Sequence, residues 1–148
     1  MNSDALNVLL ADDDEDDRLL FKEALGELKV KTNVVLLNDG VQLMNFLNDP
    51  ATLLPDIVFL DLNMPKKGGM QCLQEIRSDK KLKDLSIAIY STSASEKDIE
   101  ETFIKGANVY IKKPNDFSSL KKILTEVISM KWQYHTSGLN KEHFLLSL

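Results

Sequence analysis

The chain has 148 residues, 23 acidic against 18 basic, a formal charge of −5 and a single cysteine, Cys72. That length suits one domain, able to bury roughly 68–70% of its unfolded surface without a disulfide or metal staple, and the lone cysteine excludes an internal disulfide framework and fits a reducing cytoplasm. No apolar run approaches the roughly 18 residues of a membrane span, residues 1–6 do not read as a signal peptide, and the acid excess argues against unaided nucleic-acid binding.

The first apolar run, Val8-Leu9-Leu10-Ala11, predicts a strand that ends at Asp12-Asp13. Those two open a run of six acids, Asp12 to Asp17; without it the other 17 acids nearly balance the 18 bases, so the acidity is local. Phe21, Ala24, Leu25 and Leu28 then follow helical spacing. Val34-Val35-Leu36-Leu37 predicts the second strand, followed by Asn38-Asp39 and a shorter stripe of Val41, Met44 and Leu47. Ile57-Val58-Phe59-Leu60 runs into Asp61, and Met70, Leu73 and Ile76 mark the next helix, with Cys72 as a buried thiol. Ile87-Ala88-Ile89-Tyr90 runs into Ser91-Thr92; Ser93-x-x-Glu96 and Ser95-x-x-Asp98 both fit a capping box opening a helix with Ile99 and Phe103. Val109-Tyr110-Ile111 leads into Lys112-Lys113-Pro114 and a last helix carrying Leu120, Ile123, Leu124, Val127 and Ile128. The strand runs are short, rich in β-formers and without polar alternation, as expected of strands buried on both faces. Strand and helix alternate five times, which predicts a (βα)5 α/β fold with a parallel sheet and right-handed crossovers. Residues 132–148 stand outside the alternation as a tail. Its Trp132, Tyr134, Phe144, Leu145, Leu146 and Leu148 are apolar enough to cover the domain's own core edge or to build a homodimer; His135 and His143 lack metal-ligand spacing.

In open parallel sheets, ligands bind beyond the carboxyl ends of the strands. There this chain places Asp12 and Asp13, Asp61, Ser91 and Lys113. Three clustered carboxylates repel or take up protons unless a cation sits among them, since two unit charges 4 Å apart interact by about 4 kcal/mol at an effective dielectric of 20. A hard divalent cation such as Mg²⁺ fits that donor set. With a hydroxyl and an ammonium alongside, the expected chemistry is phosphoryl transfer. Asp61 attacks phosphorus and becomes an aspartyl phosphate, the Lys113 ammonium offsets charge on the phosphoryl oxygens, and Ser91 donates to one of them. A calcium loop competes for the acid run, because Asp12-x-Asp14-x-Asp16 with Glu23 has EF-hand spacing; it fails at Asp17, where the turn glycine belongs. Asp16 and Asp17 by themselves read as a solvated first helical turn favoured by the helix dipole.

Leu9-Leu10-Ala11-Asp12-Asp13, Asp61-Leu62-Asn63-Met64-Pro65, Ser91 after a strand, Gly106-Ala107 and Lys113-Pro114 resemble the receiver domain of two-component response regulators, over about residues 6–131 and in family order. The acid-rich start and Asn63-Met64-Pro65-Lys66-Lys67 are similar to small stand-alone receivers, including those that work with bacterial phytochrome kinases. The resemblance implies a flavodoxin-like doubly wound sheet of strand order 2-1-3-4-5. It implies Asp61 as phosphoacceptor and Asp12, Asp13, Asp61 and the Asn63 backbone carbonyl as ligands of Mg²⁺, with Mn²⁺ as a substitute. Ser91 and Tyr110 match the switch pair, Lys113 the phosphate-binding lysine, and Lys113–Pro114 a peptide that is cis in the family. Gly68 departs from the family, which often has Asp there.

The expected function is a phosphorelay response regulator with a receiver domain over residues 1–131 and no output domain in 132–148. It would take a phosphoryl group from a sensor histidine kinase or histidine phosphotransfer protein and release it by self-dephosphorylation. Being a phosphoacceptor that assists its own chemistry, it would not be an enzyme in its own right. Its fourth helix, fifth strand and fifth helix would signal to a downstream protein in the cytoplasm, without direct contact to nucleic acid or membrane. Two alternatives stand beside it: a small haloacid-dehalogenase-like phosphatase, against which Asp61-Leu62-Asn63 lacks the second acid of Asp-x-Asp, and a metal-binding or docking module without phosphotransfer.

Overall fold

The computed structural model describes residues 5–130 and 144–146. In chain order the elements are β1 (Leu6–Ala11), α1 (Glu15–Gly26), β2 (Thr32–Leu37), α2 (Gly40–Asn48), β3 (Ile57–Leu60), α3 (Gly69–Ser78), β4 (Ser86–Ser91), α4 (Glu96–Ile104), β5 (Val109–Lys112), α5 (Phe117–Ser129) and β6 (Leu145–Leu146). All neighbouring strands pair parallel, in the order β2-β1-β3-β4-β5-β6. The five-strand order 2-1-3-4-5 expected of a flavodoxin-like sheet is thus present, with one strand added beyond β5.

Alternate residues of each inner strand face opposite layers. Val8, Leu10, Ile57, Phe59, Ala88 and Tyr90 pack with Phe21, Ala24 and Leu25 of α1 and Leu120, Ile123, Leu124 and Val127 of α5. Leu9, Ala11, Val58, Leu60, Ile87 and Ile89 pack instead with Leu43, Leu47, Cys72, Leu73 and Ile76 of α2 and α3, and Ile99 and Phe103 of α4 close that layer. The aromatic centre of the first layer is Phe21, whose ring stands edge-on to Phe59 at 4.9 Å and to Tyr90 at 5.6 Å.

Three expectations change. Val41 is 39% exposed, and α2 buries Leu43, Met44 and Leu47; with Gly40 starting the helix, the inner stripe begins two residues later. β2 alternates between half-buried and exposed residues over its first four positions, because an edge strand has a neighbour on one side only. The tail contributes the unexpected sixth strand, and Phe144 beside it is fully buried. Trp132, Tyr134, His135, His143 and Leu148 lie outside the described residues.

Arg77, at the end of α3, ties the far side of the sheet together. Its guanidinium donates to the carbonyls of Gly106 (2.9 Å), Lys83 (2.8 Å) and Leu85 (2.6 Å) and to Asn108 Oδ1 (3.0 Å). Gly106 holds φ +97°, a left-handed conformation that suits glycine, with the Arg77 side chain against it. Arg77→Ala removes the guanidinium from the partly buried Leu85 carbonyl and Asn108 Oδ1, the Gly106 and Lys83 carbonyls being exposed to water. We expect a loss of about 1–3 kcal/mol in urea unfolding, with Arg77→Lys nearly as damaging because an ammonium cannot reproduce the fork.

Candidate functional site

The sheet register brings the strand ends level. Ala11 pairs with Leu60, Leu60 with Ile89, and Ser91 with Lys112, so the next residues of each strand meet at one edge. Backbone bonds carry the ladder into the site itself: the Asp61 N–H donates to the Ala11 carbonyl (3.0 Å) and the Lys113 N–H to the Ser91 carbonyl (2.8 Å). This edge lies where β1 is flanked by β2 and β3, the point at which the strand order reverses.

Asp12, Asp13 and Asp61 present carboxylate oxygens within 4.8 Å of one another, Asp12 and Asp61 buried and Asp13 exposed. The Lys113 ammonium lies 2.8 Å from Asp12 Oδ2, 2.8 Å from Asp17 Oδ2 and 3.7 Å from Asp61 Oδ2. Burial pushes the Asp61 carboxyl up to about 7; the Lys113 ammonium opposes the rise and the Asp12 carboxylate adds to it. For Lys113, burial disfavours the charge, yet the Asp12 and Asp17 carboxylates outweigh it and hold its pKa above the ordinary lysine value.

Asp12 Oδ2 is the one buried side-chain oxygen or nitrogen, among the described residues, that receives no well-directed hydrogen bond. Its ion pair with Lys113 supplies charge at 2.8 Å without that geometry. A buried carboxylate oxygen held by an ammonium alone, beside two further carboxylates, fits a hard divalent cation, whose preferred ligands are oxygens. Asn63 stands at the edge of this group, its side chain exposed and its N–H donating to Asp61 Oδ1 at 3.1 Å. The loop after Asp61 turns through Lys66 at φ +67°. It closes on Gly69, where a Cβ would overlap the Asp61 carbonyl oxygen, so helix α3 starts hard against the site.

Ser91 is fully buried at the end of β4, and its Oγ accepts from the Ser93 N–H at 3.1 Å. Tyr110, also fully buried, donates its hydroxyl to the Ser93 carbonyl at 2.8 Å. Ser91 and Tyr110 are therefore joined through one loop residue. Of the two capping boxes, Ser95 is the N-cap of α4 and its Oγ accepts from the Asp98 N–H, while Ser93 donates its hydroxyl to Asp98 Oδ2.

Two residues escaped the sequence reading. Asp17 was expected to be solvated but is half-buried and pairs with Lys113. The only available signal was position: the first turn of α1 overlies the strand ends, so an acid on its inner side faces them. Tyr90 lies under Lys113, with the ammonium 5.3 Å from its ring centroid. One expectation is corrected, and the rejected calcium loop stays rejected. The Lys113–Pro114 peptide is trans, the isomer that X–Pro bonds favour by about 0.5–1 kcal/mol, and Lys113 is aimed by its carboxylate partners instead. The calcium-loop spacing does not make a loop, because Asp12 follows a strand, Asp14 caps α1 by accepting from the Asp17 N–H, and Asp16 lies inside the helix. Cys72 is buried with its pKa pushed up to about 11 by that burial, as suits an inert thiol.

A family model described as the response regulator receiver domain matches residues 8–125. The response regulator Rcp1 of Synechocystis sp. is 30% identical over 129 residues, covering 82% of this chain and 86% of that protein. The crystal structure of its Mn²⁺-bound form superposes with a TM-score of 0.77 at 28% identity, covering 87% of this chain and 96% of that one. The phosphorylated cyanobacterial phytochrome response regulator RcpA gives a TM-score of 0.78 at 32% identity, covering 92% of this chain and 97% of that one.

Proposed function

The chain belongs to the response regulator receiver family of two-component signalling, and from that premise we propose that it accepts a phosphoryl group on Asp61 from a histidine kinase or histidine phosphotransfer protein. The observation that carries the reading is the meeting of a nearly buried Asp61, 4% exposed, with two further carboxylates and the Lys113 ammonium at one sheet edge. The likeness to RcpA favours a phytochrome-type sensor kinase as donor.

A carboxylate oxygen of Asp61 forms the new P–O bond while the P–N bond to the donor histidine breaks, its electron pair passing to the imidazole nitrogen. Burial has stripped water from that carboxylate, so little solvent must be cleared before attack. Lys113 offsets charge on the phosphoryl oxygens as a mobile point charge. Asp12, Asp13, Asp61 and the Asn63 backbone carbonyl would hold Mg²⁺, with Mn²⁺ as substitute; such a cation supplies positive charge to the phosphoryl oxygens. The Mn²⁺-bound Rcp1 and the phosphorylated RcpA support both parts of the reading. Hydrolysis by water later returns Asp61 to the carboxylate and releases phosphate. The hydroxyl of Ser91 turns toward the bound phosphoryl group, and Tyr110 follows through Ser93. The face built from α4, β5 and α5 then signals to a protein partner in the cytoplasm; among the described residues no helix is long and apolar enough to cross a membrane.

Intact mass measurement after incubation with a small phosphodonor tests this. One phosphoryl group is expected, dependent on Mg²⁺ and absent from Asp61→Asn. An unchanged mass under conditions that phosphorylate a control receiver overturns the reading.

A further inference from the structure

The outer edge of β5 is not open to solvent: the chain's own C-terminal segment sits on it. The Tyr110 N–H donates to the Phe144 carbonyl at 2.8 Å, and Tyr110 and Ile111 pair in parallel with Leu145 and Leu146. Phe144 is fully buried in a niche between Phe103 of α4 and Tyr110, ring centroids 5.3 and 6.2 Å away, both edge-on. An edge strand is a template for an added strand, with backbone bonds giving affinity and a side-chain niche giving selectivity. A two-residue strand is a marginal element, held largely by its one aromatic anchor. The anchor's seat is part of the switch, since the Tyr110 hydroxyl bonds the Ser93 carbonyl and the Ser93 N–H bonds Ser91 Oγ.

We propose that the β5 edge with the Phe103–Tyr110 niche is a docking groove plugged by the chain's own Phe144–Leu146 segment. Phe144–Leu146 occupies it in the resting chain and leaves when Asp61 is phosphorylated. The release half rests on Asp61 as phosphoacceptor. Movement of the Ser91 hydroxyl toward the phosphoryl group takes the acceptor from the Ser93 N–H, shifts the loop that anchors Tyr110, and so reshapes the niche that holds Phe144. A tethered segment is present at an effective concentration of order mM, so a micromolar peptide of the same pattern cannot displace it from the resting groove. The β5 edge would then be covered at rest and bare once the chain is phosphorylated.

The test is binding of a fluorescent peptide with the sequence of residues 141–148 to the full chain. The resting wild type binds it weakly. Phe144→Ala binds it at least about 10-fold more tightly, and phosphorylation of that variant on Asp61, verified by intact mass, weakens the binding at least about 10-fold, because the niche that lets go of Phe144 lets go of the same residue in the peptide. A peptide with alanine in place of phenylalanine binds none of them. Phe144→Leu, which keeps an apolar anchor and guards against misfolding of the alanine variant, lies between. Hydrogen exchange of the Tyr110 amide gives a readout free of substitutions: slow in the resting chain, at least about 10-fold faster once phosphorylated. Equal peptide affinity for folded Phe144 variants and wild type overturns the groove. Unchanged affinity and exchange in a chain of confirmed phosphorylated mass overturns the release. Protection of Tyr110 that rises with chain concentration assigns the strand to a second copy and overturns the intramolecular occupant. A chain that takes up no phosphoryl group overturns the phosphoacceptor reading and the release with it, while the Phe144 variants still decide the groove.

Discussion

Replacing Lys113 with alanine is expected to lower the unfolding free energy of the metal-free chain by about 3–5 kcal/mol. The side chain is 9% exposed, and its ammonium lies within 4.0 Å of three carboxylates, those of Asp12, Asp17 and Asp61. A buried ion pair need not be worth much against a well-packed apolar replacement. Removing one partner is a different matter, because the other charges stay behind unpaired. Here Asp12 is fully buried and already has an oxygen with no directed hydrogen bond, so the loss falls where desolvation is greatest. Urea unfolding in a chelator measures it, and a loss under about 1 kcal/mol would place the pair in the class of surface salt bridges. Mg²⁺ should restore part of the loss by binding the folded state alone. The variant is still expected to take a phosphoryl group on Asp61 while its downstream response fails.

Asp17 can be separated within the same experiment. In a cycle of Lys113→Ala and Asp17→Asn, a working contact gives a coupling of about 0.5–3 kcal/mol, whereas independent residues add to within about 0.3–0.5. At rest Asp17 holds an ammonium that Asp61 has only at 3.7 Å. On the proposed reading, a phosphoryl group on Asp61 competes with Asp17 for that ammonium.

The sequence reading reached the site through the strands. Four of the five apolar runs end in chemistry-bearing residues, and parallel register alone carries those ends to one edge; Asp12, Asp61, Ser91 and Lys113 meet there as expected. What escaped it depends on three-dimensional approach. Asp17 was one of six acids in a row, and composition cannot say which of them turns inward. Val41 and Leu43 are both apolar, and only the helix start at Gly40 decides which faces the sheet. β6 has two residues, too few for any period to show; only the apolar character of the tail hinted that it packs. The trans Lys113–Pro114 bond reverses an expectation carried over from family likeness, and nothing in the residues themselves had required it.

Asp61→Asn is expected to stabilise the metal-free chain above neutral pH while abolishing phosphoryl acceptance. In the folded chain Asp61 keeps its proton up to about pH 7, against 3.8 as its ordinary value. Between those limits the folded state binds more protons than the unfolded one, so unfolding free energy falls as pH rises, and above about 7 the whole penalty is in place. At about 1.4 kcal/mol per pKa unit the ceiling is about 4 kcal/mol, and solvent screening at the open edge of the site brings the expected gap to about 2–3 kcal/mol. Asparagine carries no charge and escapes it. The difference between variant and wild type, measured in chelator, should therefore be small near pH 4 and open toward pH 8. Mg²⁺ at about 100 times its dissociation constant adds about 2.7 kcal/mol to the wild type, enough to close the gap if the asparagine variant has lost most of its affinity. A gap independent of pH would mean that Asp61 ionises like a surface carboxylate. The desolvated nucleophile would then lose its physical basis, because the burial that makes the free carboxylate costly is the same burial that leaves it ready to meet phosphorus.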